Sequence, residues 1–141
     1  MLKNISPIIP PELLKILAEM GHGDELIIAD GNFPSHSMND RVVRCDGHGG
    51  NEMLDAILAL FPLDTYAQYN AGLMQVVPGD TVETPIWDEY KKTMAKYEGE
   101  NVRIEEIERF AFYERAKTVY AVVATGEKAL YANLIIKKGV I

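Results

Sequence analysis

The chain has 141 residues and 48% hydrophobic content, which fit one domain with a real core. Its net charge is −7 and it has no basic cluster that could neutralise a phosphate backbone, so we expect no nucleic-acid partner. A single cysteine rules out an intrachain disulfide, and no apolar run is long enough to cross a membrane, so we expect one cytoplasmic domain over residues 1–141.

Helices and short apolar strands alternate along the chain. In chain order, the periodicity predicts helix 12–20, strand 25–30, a short strand at 42–43, helix 51–61, strand 73–77, helix 85–97, helix 110–117, and strands 119–124 and 134–136. Residues 102–107 fit either a strand or a helix. This alternation favours a single three-layer α/β/α domain with a mixed, mostly parallel central sheet. Ligands of such sheets bind beyond the carboxyl ends of the strands.

Two candidate catalytic groups flank the first predicted strand. His22 lies between two glycines and can both donate and accept a proton near neutral pH. Asp30 ends the strand, where a buried acid needs a partner. Taken alone, His22 is more simply a helix-terminal histidine and Asp30 a turn cap. The pair is more informative, because both side chains reach one pocket if the His22 loop folds over the carboxyl end of the strand.

The remaining histidines, His36 and His48, raise the question of a metal site. Neither an HxH nor an HxxxH spacing occurs, and the glycines around His48 match no phosphate-binding loop. A metal site is therefore unsupported. Tyr120 is explained as a half-buried strand residue, and the polar groups of residues 131–133 either hold sugar hydroxyls or satisfy a turn.

Three separated motifs occur in the order of one known family. They are ISP…PELL…LAEMGHGDE…IAD…FPSHS, then RFAFYERA, then TGE…YANLIIKKGV, and they run from residue 1 to the C-terminus. This order resembles the fucose mutarotase/ribose pyranase family, and its fucose branch more closely than its ribose branch. The resemblance implies a small ribose pyranase-like α/β subunit in a ring-based homodecamer, with pockets where neighbouring subunits meet. It also implies that neither a metal nor an organic cofactor is needed.

The resemblance assigns roles to individual residues. His22 matches the catalytic histidine of the family. The sugar-binding positions are matched by Asp30, Arg109, Tyr131, Ala132 and Asn133. Tyr120 is added as a wall or proton-relay group.

Three positions bear on the choice of sugar. The ribose branch has a histidine where this chain has Arg109, which favours the fucose branch. Asn32 replaces a histidine of some fucose mutarotases, and Ala132 replaces a glycine, as it does in the ribose branch. These departures leave the sugar preference less defined than the reaction.

The implied reaction interconverts the α and β anomers of L-fucose by opening and reclosing the ring. It removes a proton from the anomeric hydroxyl and delivers one to the ring oxygen, which is general acid–base chemistry. We expect His22 to exchange these protons while Asp30 orients it or holds hydroxyls. Three alternatives stay open: a D-ribose pyranase, a non-catalytic monosaccharide-binding protein and, least favoured, a metal-dependent hydrolase or isomerase.

Overall fold

Strands and helices alternate through most of the chain in the computed structural model, which describes all 141 residues. The strands are β1 (Glu25–Ala29), β2 (Val42–Cys45), β3 (Ala71–Met74), β4 (Ile104–Ile107), β5 (Ala121–Thr125) and β6 (Leu134–Lys137). The helices are α1 (Pro11–Glu19), α2 (Ser35–Met38), α3 (Gly50–Leu58), α4 (Pro85–Glu98) and α5 (Arg109–Thr118), and a single 3₁₀ turn (Gly99–Asn101) follows α4. No helix is both long enough and apolar enough to span a bilayer.

The six strands form one sheet in the order β2-β5-β1-β6-β3-β4. β1, β2 and β5 pair in parallel, as do β3 and β4, and β6 lies antiparallel between β1 and β3. The prediction of a mixed, mostly parallel sheet is confirmed. One edge therefore collects the carboxyl ends of five strands together with the start of β6. We call it the carboxyl edge, and the opposite one the amino edge.

Helices cover both faces of the sheet. Successive side chains of a strand point to opposite faces, and the side chains of β1 are apolar on both, so each face needs a covering layer. Leu26 and Ile28 of β1 belong to the larger core cluster, which packs against α1, α3 and α4. Ile27 and Ala29 belong to the second cluster, which includes Phe112 of α5. A strand buried on both faces is almost entirely apolar, as β1 is. The prediction of a three-layer α/β/α architecture is confirmed.

The element boundaries differ from the predictions in a few places. The ambiguous residues 102–107 contain β4, a strand. The strand predicted over 73–77 lies over Ala71–Met74, because the chain leaves the sheet before the turn at Pro78. The one-turn helix α2 was not predicted, since four residues are too few to show a helical period.

Candidate active site

A pocket opens at the carboxyl edge, where β1, β3 and β4 end and β6 begins. Its volume is about 270 Å³. Its polar lining residues are Asp30, Asn32, Asp80, Arg109, Tyr131 and Asn133. Its other lining residues are Phe33, Pro34, Met74, Val77, Tyr113 and Leu130. Four of the predicted sugar-binding residues thus meet in one pocket, at the edge where such sheets bind ligands.

Asp30 presents a buried carboxylate to this pocket. Asp30 is only 6% exposed, and its backbone N–H donates to Asn133 Oδ1 at 2.8 Å. The N–H of Asn32 donates to Asp30 Oδ1 at 2.9 Å. Burial raises the pKa of Asp30, and hydrogen bonds from its neighbours, led by the Asn32 backbone, offset only part of that increase. The site thus has an acid whose proton affinity is higher than that of an exposed aspartate.

The segment that precedes β6 is held by α4. Tyr131 has a φ of 56°, a left-handed conformation that is unfavourable for a bulky residue. Trp87 Nε1 donates to the carbonyl oxygen of Tyr131 at 2.8 Å, and the Tyr90 hydroxyl donates to that of Ala132 at 2.8 Å. Gly50 leaves room for this second bond, because a Cβ there would overlap the Tyr90 hydroxyl. Two hydrogen bonds from one helix therefore fix two consecutive residues of the pocket.

The phenol of Tyr131 is also fixed. It donates to Asp80 Oδ2 at 2.6 Å and accepts from the Val77 N–H at 3.3 Å. The hydrogen bond to Asp80 raises the pKa of Tyr131, and the same bond lowers the pKa of Asp80. At neutral pH the pair is therefore a neutral phenol bonded to a carboxylate.

Arg109 is the first residue of α5 and lies at the rim of the pocket. Glu108 caps this helix by accepting from the N–H groups of Phe110 and Ala111, both at 3.0 Å. The Arg109 Nε donates to the Tyr113 hydroxyl at 3.3 Å, and Arg109 forms no salt bridge with an acid. Its remaining N–H groups can donate to the hydroxyls of a neutral ligand.

His22 lies at the amino edge, at the other end of β1 from Asp30. Its Nε2 lies 2.8 Å from Asp64 Oδ1, and its side chain is 45% exposed whereas that of Asp64 is 3% exposed. The loop is tied to the end of β6, because the N–H of Gly23 donates to the Lys138 carbonyl at 2.8 Å. The expectation that this loop folds over the carboxyl end of β1 is wrong within one chain, because the loop precedes the strand and is anchored at its start.

Asp64 is held as an ionised partner for His22. Burial acts to raise its pKa, but hydrogen bonds from the Ala67 N–H and from His22 keep the pKa of Asp64 below its ordinary value. Its carbonyl oxygen accepts from Asn70 Nδ2 and from Arg103 Nη2, both at 2.9 Å. A carboxylate fixed beside a half-exposed imidazole orients the ring and sets its tautomer.

Nearly the whole chain matches one family model. The model, described as the RbsD/FucU transport protein family, covers residues 3–141. The chain belongs to this family. Among its members, the L-fucose mutarotase of Actinobacillus pleuropneumoniae is 54% identical over 140 residues, which cover 99% of this chain and 97% of that protein.

Solved structures of the RbsD/FucU family superpose closely. FucU from Bifidobacterium longum has a TM-score of 0.96 and 59% identity, with 99% of each chain covered. The fucose mutarotase of Streptococcus pneumoniae, solved in complex with L-fucose, has a TM-score of 0.94 and 48% identity, also with 99% of each chain covered. RbsD from Bacillus subtilis, complexed with D-ribose, has a TM-score of 0.73 at 22% identity over 100% of this chain and 99% of that chain, which shows a shared fold alone.

Two further predicted site residues, Tyr120 and Ala132, do not line the carboxyl-edge pocket. Tyr120 lies just before β5 at the amino edge, where its hydroxyl donates to Glu19 Oε2 at 2.9 Å and Arg41 Cζ lies 4.1 Å from its ring centroid. Ala132 is fully buried, and its carbonyl oxygen accepts from the Tyr90 hydroxyl.

Two functional candidates were missing from the sequence analysis of this family member. Asp64 follows His22 by 42 positions and Asp80 precedes Tyr131 by 51, so no local pattern joins either pair. Both pairs meet around β6, which lies antiparallel between β1 and β3: Tyr131 precedes its start, and the backbone N–H groups of Gly23 and Asp64 donate to Lys138 and Lys137 at its end. Elsewhere, His48 Nδ1 lies 3.1 Å from Glu52 Oε1, and no group of three or more His, Cys, Asp or Glu side chains is placed to hold a metal ion.

Proposed function

We propose that this chain interconverts the α and β anomers of L-fucose by opening and reclosing the sugar ring. One observation carries the proposal: four polar side chains, Asp30, Arg109, Tyr131 and Asn133, converge on one pocket in a chain of this family. The A. pleuropneumoniae relative is named L-fucose mutarotase, and the S. pneumoniae relative is known with L-fucose bound. A neutral sugar also suits a pocket that pairs hydrogen-bond donors and acceptors with apolar walls.

Within one chain no histidine lines the pocket. Ring opening requires one group to accept the anomeric proton and another to protonate the ring oxygen. His22 is bonded to Asp64 at the far end of β1, with its ring 45% exposed. We therefore propose that the His22 of a neighbouring subunit reaches the pocket that contains Asp30.

Exposed apolar side chains support this contact. Phe110, Leu130 and Val77 surround the carboxyl-edge pocket and are 65%, 52% and 37% exposed. Tyr66, whose ring centroid lies 5.2 Å from that of His22, is 75% exposed. Contact between unlike surfaces of identical chains closes into a ring when the rotation allows it. A ring-based homodecamer, as the family resemblance implies, is our proposed assembly.

In the proposed reaction the two edges have different tasks. Arg109 and Asn133 donate to sugar hydroxyls, and Asp30 accepts from them, which holds the sugar in one orientation. His22 of the neighbour exchanges protons at the anomeric and ring oxygens, and Asp64 keeps its imidazole oriented. Proton transfer between oxygen and nitrogen needs only these side chains, so the proposed chemistry includes neither a metal nor an organic cofactor.

The cytoplasm is the proposed location of the enzyme. Cys45 is its only cysteine, and it is free and buried. A chain without disulfides suits a reducing compartment.

Saturation-transfer NMR between α- and β-L-fucose tests the activity. The wild type should exchange the anomers faster than buffer alone, and His22→Ala should lose about 10²-fold or more of that acceleration. His36→Ala is the matched control, since His36 is exposed on α2 and lies outside the pocket. A fully active His22→Ala variant would remove His22 from the mechanism.

Mixed assemblies test whether two chains share each site. His22→Ala and Asp30→Asn should both be inactive alone. When the two are co-expressed, about a quarter of the sites should combine an intact pocket with an intact histidine from the neighbour, and activity should return to that extent. No recovery in mixed assemblies would show that each chain works by itself.

A further inference from the structure

A tight turn in the loop between β3 and α4 forms one wall of the pocket. The N–H of Asp80 donates to the Val77 carbonyl at 3.0 Å, with Pro78 and Gly79 between them. Gly79 has a φ of 90°, and proline followed by glycine at the two central positions is the pattern of a type II turn. The N–H of Val82 donates to Asp80 Oδ1 at 3.0 Å. The turn therefore holds the Asp80 carboxylate in one orientation, with Oδ2 directed to Tyr131.

The hydrogen bonds of Tyr131 have only one possible direction. An ionised carboxylate only accepts and a backbone N–H only donates, so the phenolic hydrogen points to Asp80 and the Val77 N–H points to the phenolic oxygen. A phenolic oxygen accepts up to two hydrogen bonds, which leaves one accepting position. Both Tyr131 and Asp80 line the pocket. Tyr131 is therefore available to a ligand as an acceptor.

We propose that Asp80 is a positioning residue for the sugar reaction: it binds the phenolic hydrogen of Tyr131 so that the phenolic oxygen accepts a hydrogen bond from a sugar hydroxyl. This inference rests on the proposed function, because it needs a sugar in the pocket. It complements Arg109, which can only donate. The sugar hydroxyls that donate hydrogen bonds need acceptors, and Tyr131 together with Asp30 supplies them on the polar side of the pocket.

The Asp80→Asn variant preserves the shape of the side chain at position 80. It should turn Tyr131 from a hydrogen-bond acceptor into a donor toward the pocket. The Val82 N–H can only donate, so the amide oxygen of the variant remains bonded to it. The amide nitrogen then faces Tyr131 and donates to the phenolic oxygen. The phenolic hydrogen must turn elsewhere, and Tyr131 becomes a donor toward the pocket.

Kinetics of fucose exchange test this reversal. We expect kcat of Asp80→Asn to fall about tenfold or more, with a smaller change in KM and a similar melting temperature. Asp88→Asn, on the exposed first turn of α4, should keep the wild-type rate. Unchanged kcat per folded site in Asp80→Asn would overturn the proposal, as would a loss explained entirely by unfolding.

A double variant tests whether Asp80 acts through Tyr131. Tyr131→Phe removes the phenol, so Asp80→Asn added to it should slow exchange no further. If the two effects multiply instead, Asp80 acts independently of Tyr131 and the proposal fails.

A titration without sugar separates this inference from the proposed function. The bond to Asp80 raises the pKa of Tyr131. In Asp80→Asn the pKa of Tyr131 should return toward its ordinary value, as followed by NMR of ¹³Cζ-labelled tyrosine with the signal assigned by its loss in Tyr131→Phe. An unaccelerated fucose exchange in the wild type would refute the proposed function, whereas an unshifted Tyr131 titration would refute the Asp80 assignment.

Discussion

The carboxyl edge and the amino edge of this sheet carry different kinds of functional group. The carboxyl edge has a pocket of about 270 Å³ whose buried acid, Asp30, is less acidic than an exposed aspartate. The amino edge has a half-exposed imidazole, His22, above a buried carboxylate, Asp64, that is more acidic than usual. In the proposed reaction, one edge binds the sugar and the other exchanges protons. Neither set is complete alone, and this division is the reason for the proposed sharing between subunits.

Removing the carboxylate of the amino edge should have the largest effect. In Asp64→Asn the imidazole of His22 loses the carboxylate that orients it for proton exchange. We expect the rate of fucose exchange to fall about 10²-fold, while fucose binding measured by calorimetry stays within about twofold. A variant that loses binding and keeps its rate per bound sugar would reverse the roles that we give to the two edges.

Removing the hydrogen bond between Tyr90 and Ala132 beside the pocket should chiefly reduce the stability of the fold. In Gly50→Ala the new methyl group displaces the Tyr90 hydroxyl, which leaves the Ala132 carbonyl without its donor. Overpacking and the unpaired carbonyl together should lower the free energy of unfolding by about 3 kcal/mol. Urea denaturation measures this loss. Gly47→Ala is the control, because a Cβ there meets nothing within 4 Å, and an equal loss in both variants would contradict the explanation.

Acidification should affect the two carboxylates in opposite directions. The folded-state pKa of Asp30 is raised, so its contribution to stability is present at low pH and is lost as the pH rises through that pKa. The pKa of Asp64 is lowered, so its contribution is present at neutral pH and is lost as the pH falls through the folded value. From about pH 7 to about pH 3, the wild type should gain stability relative to Asp30→Asn and lose it relative to Asp64→Asn. Denaturation at several pH values checks both signs, and parallel trends would contradict this prediction.

Tyr120→Phe should have the smallest effect. The Tyr120 hydroxyl bonds to Glu19 and makes no hydrogen bond to His22 or Asp64. We expect less than about a threefold change in exchange rate, because the lost hydrogen bond is a surface one. Tyr131→Phe serves as the comparison, and its rate of fucose exchange should be much lower. A tenfold loss in Tyr120→Phe would place this residue at the shared site, as the sequence-based assignment has it.

The fold was largely predictable because its signals are local. The apolar run before Asp30 indicates a strand that is buried on both faces, and the helical spacing of residues 12–20 indicates a helix with one buried face. Each signal spans only a few positions of sequence. The left-handed backbone of Tyr131 was not predictable, and the hydrogen bond to its carbonyl oxygen comes from Trp87, which is 44 positions away.

The prediction that the His22 loop folds toward Asp30 failed for a different reason. His22 precedes β1 and Asp30 follows it, and a strand of five residues separates its ends by about 16 Å. The separation was therefore implied by the predicted strand itself. Asp64, by contrast, required the structure, because its contact with His22 spans 42 positions of sequence.

The antiparallel course of β6 links the two edges through one short strand. Asn133 stands at its start beside Asp30, and Lys138, just after its end, holds the His22 loop through the N–H of Gly23. In the proposed ring, each copy of β6 therefore supports the pocket of its own subunit and, through its own His22 loop, the imidazole that enters the pocket of the adjoining subunit. Damage to this strand in one subunit should disable two successive sites of the ring.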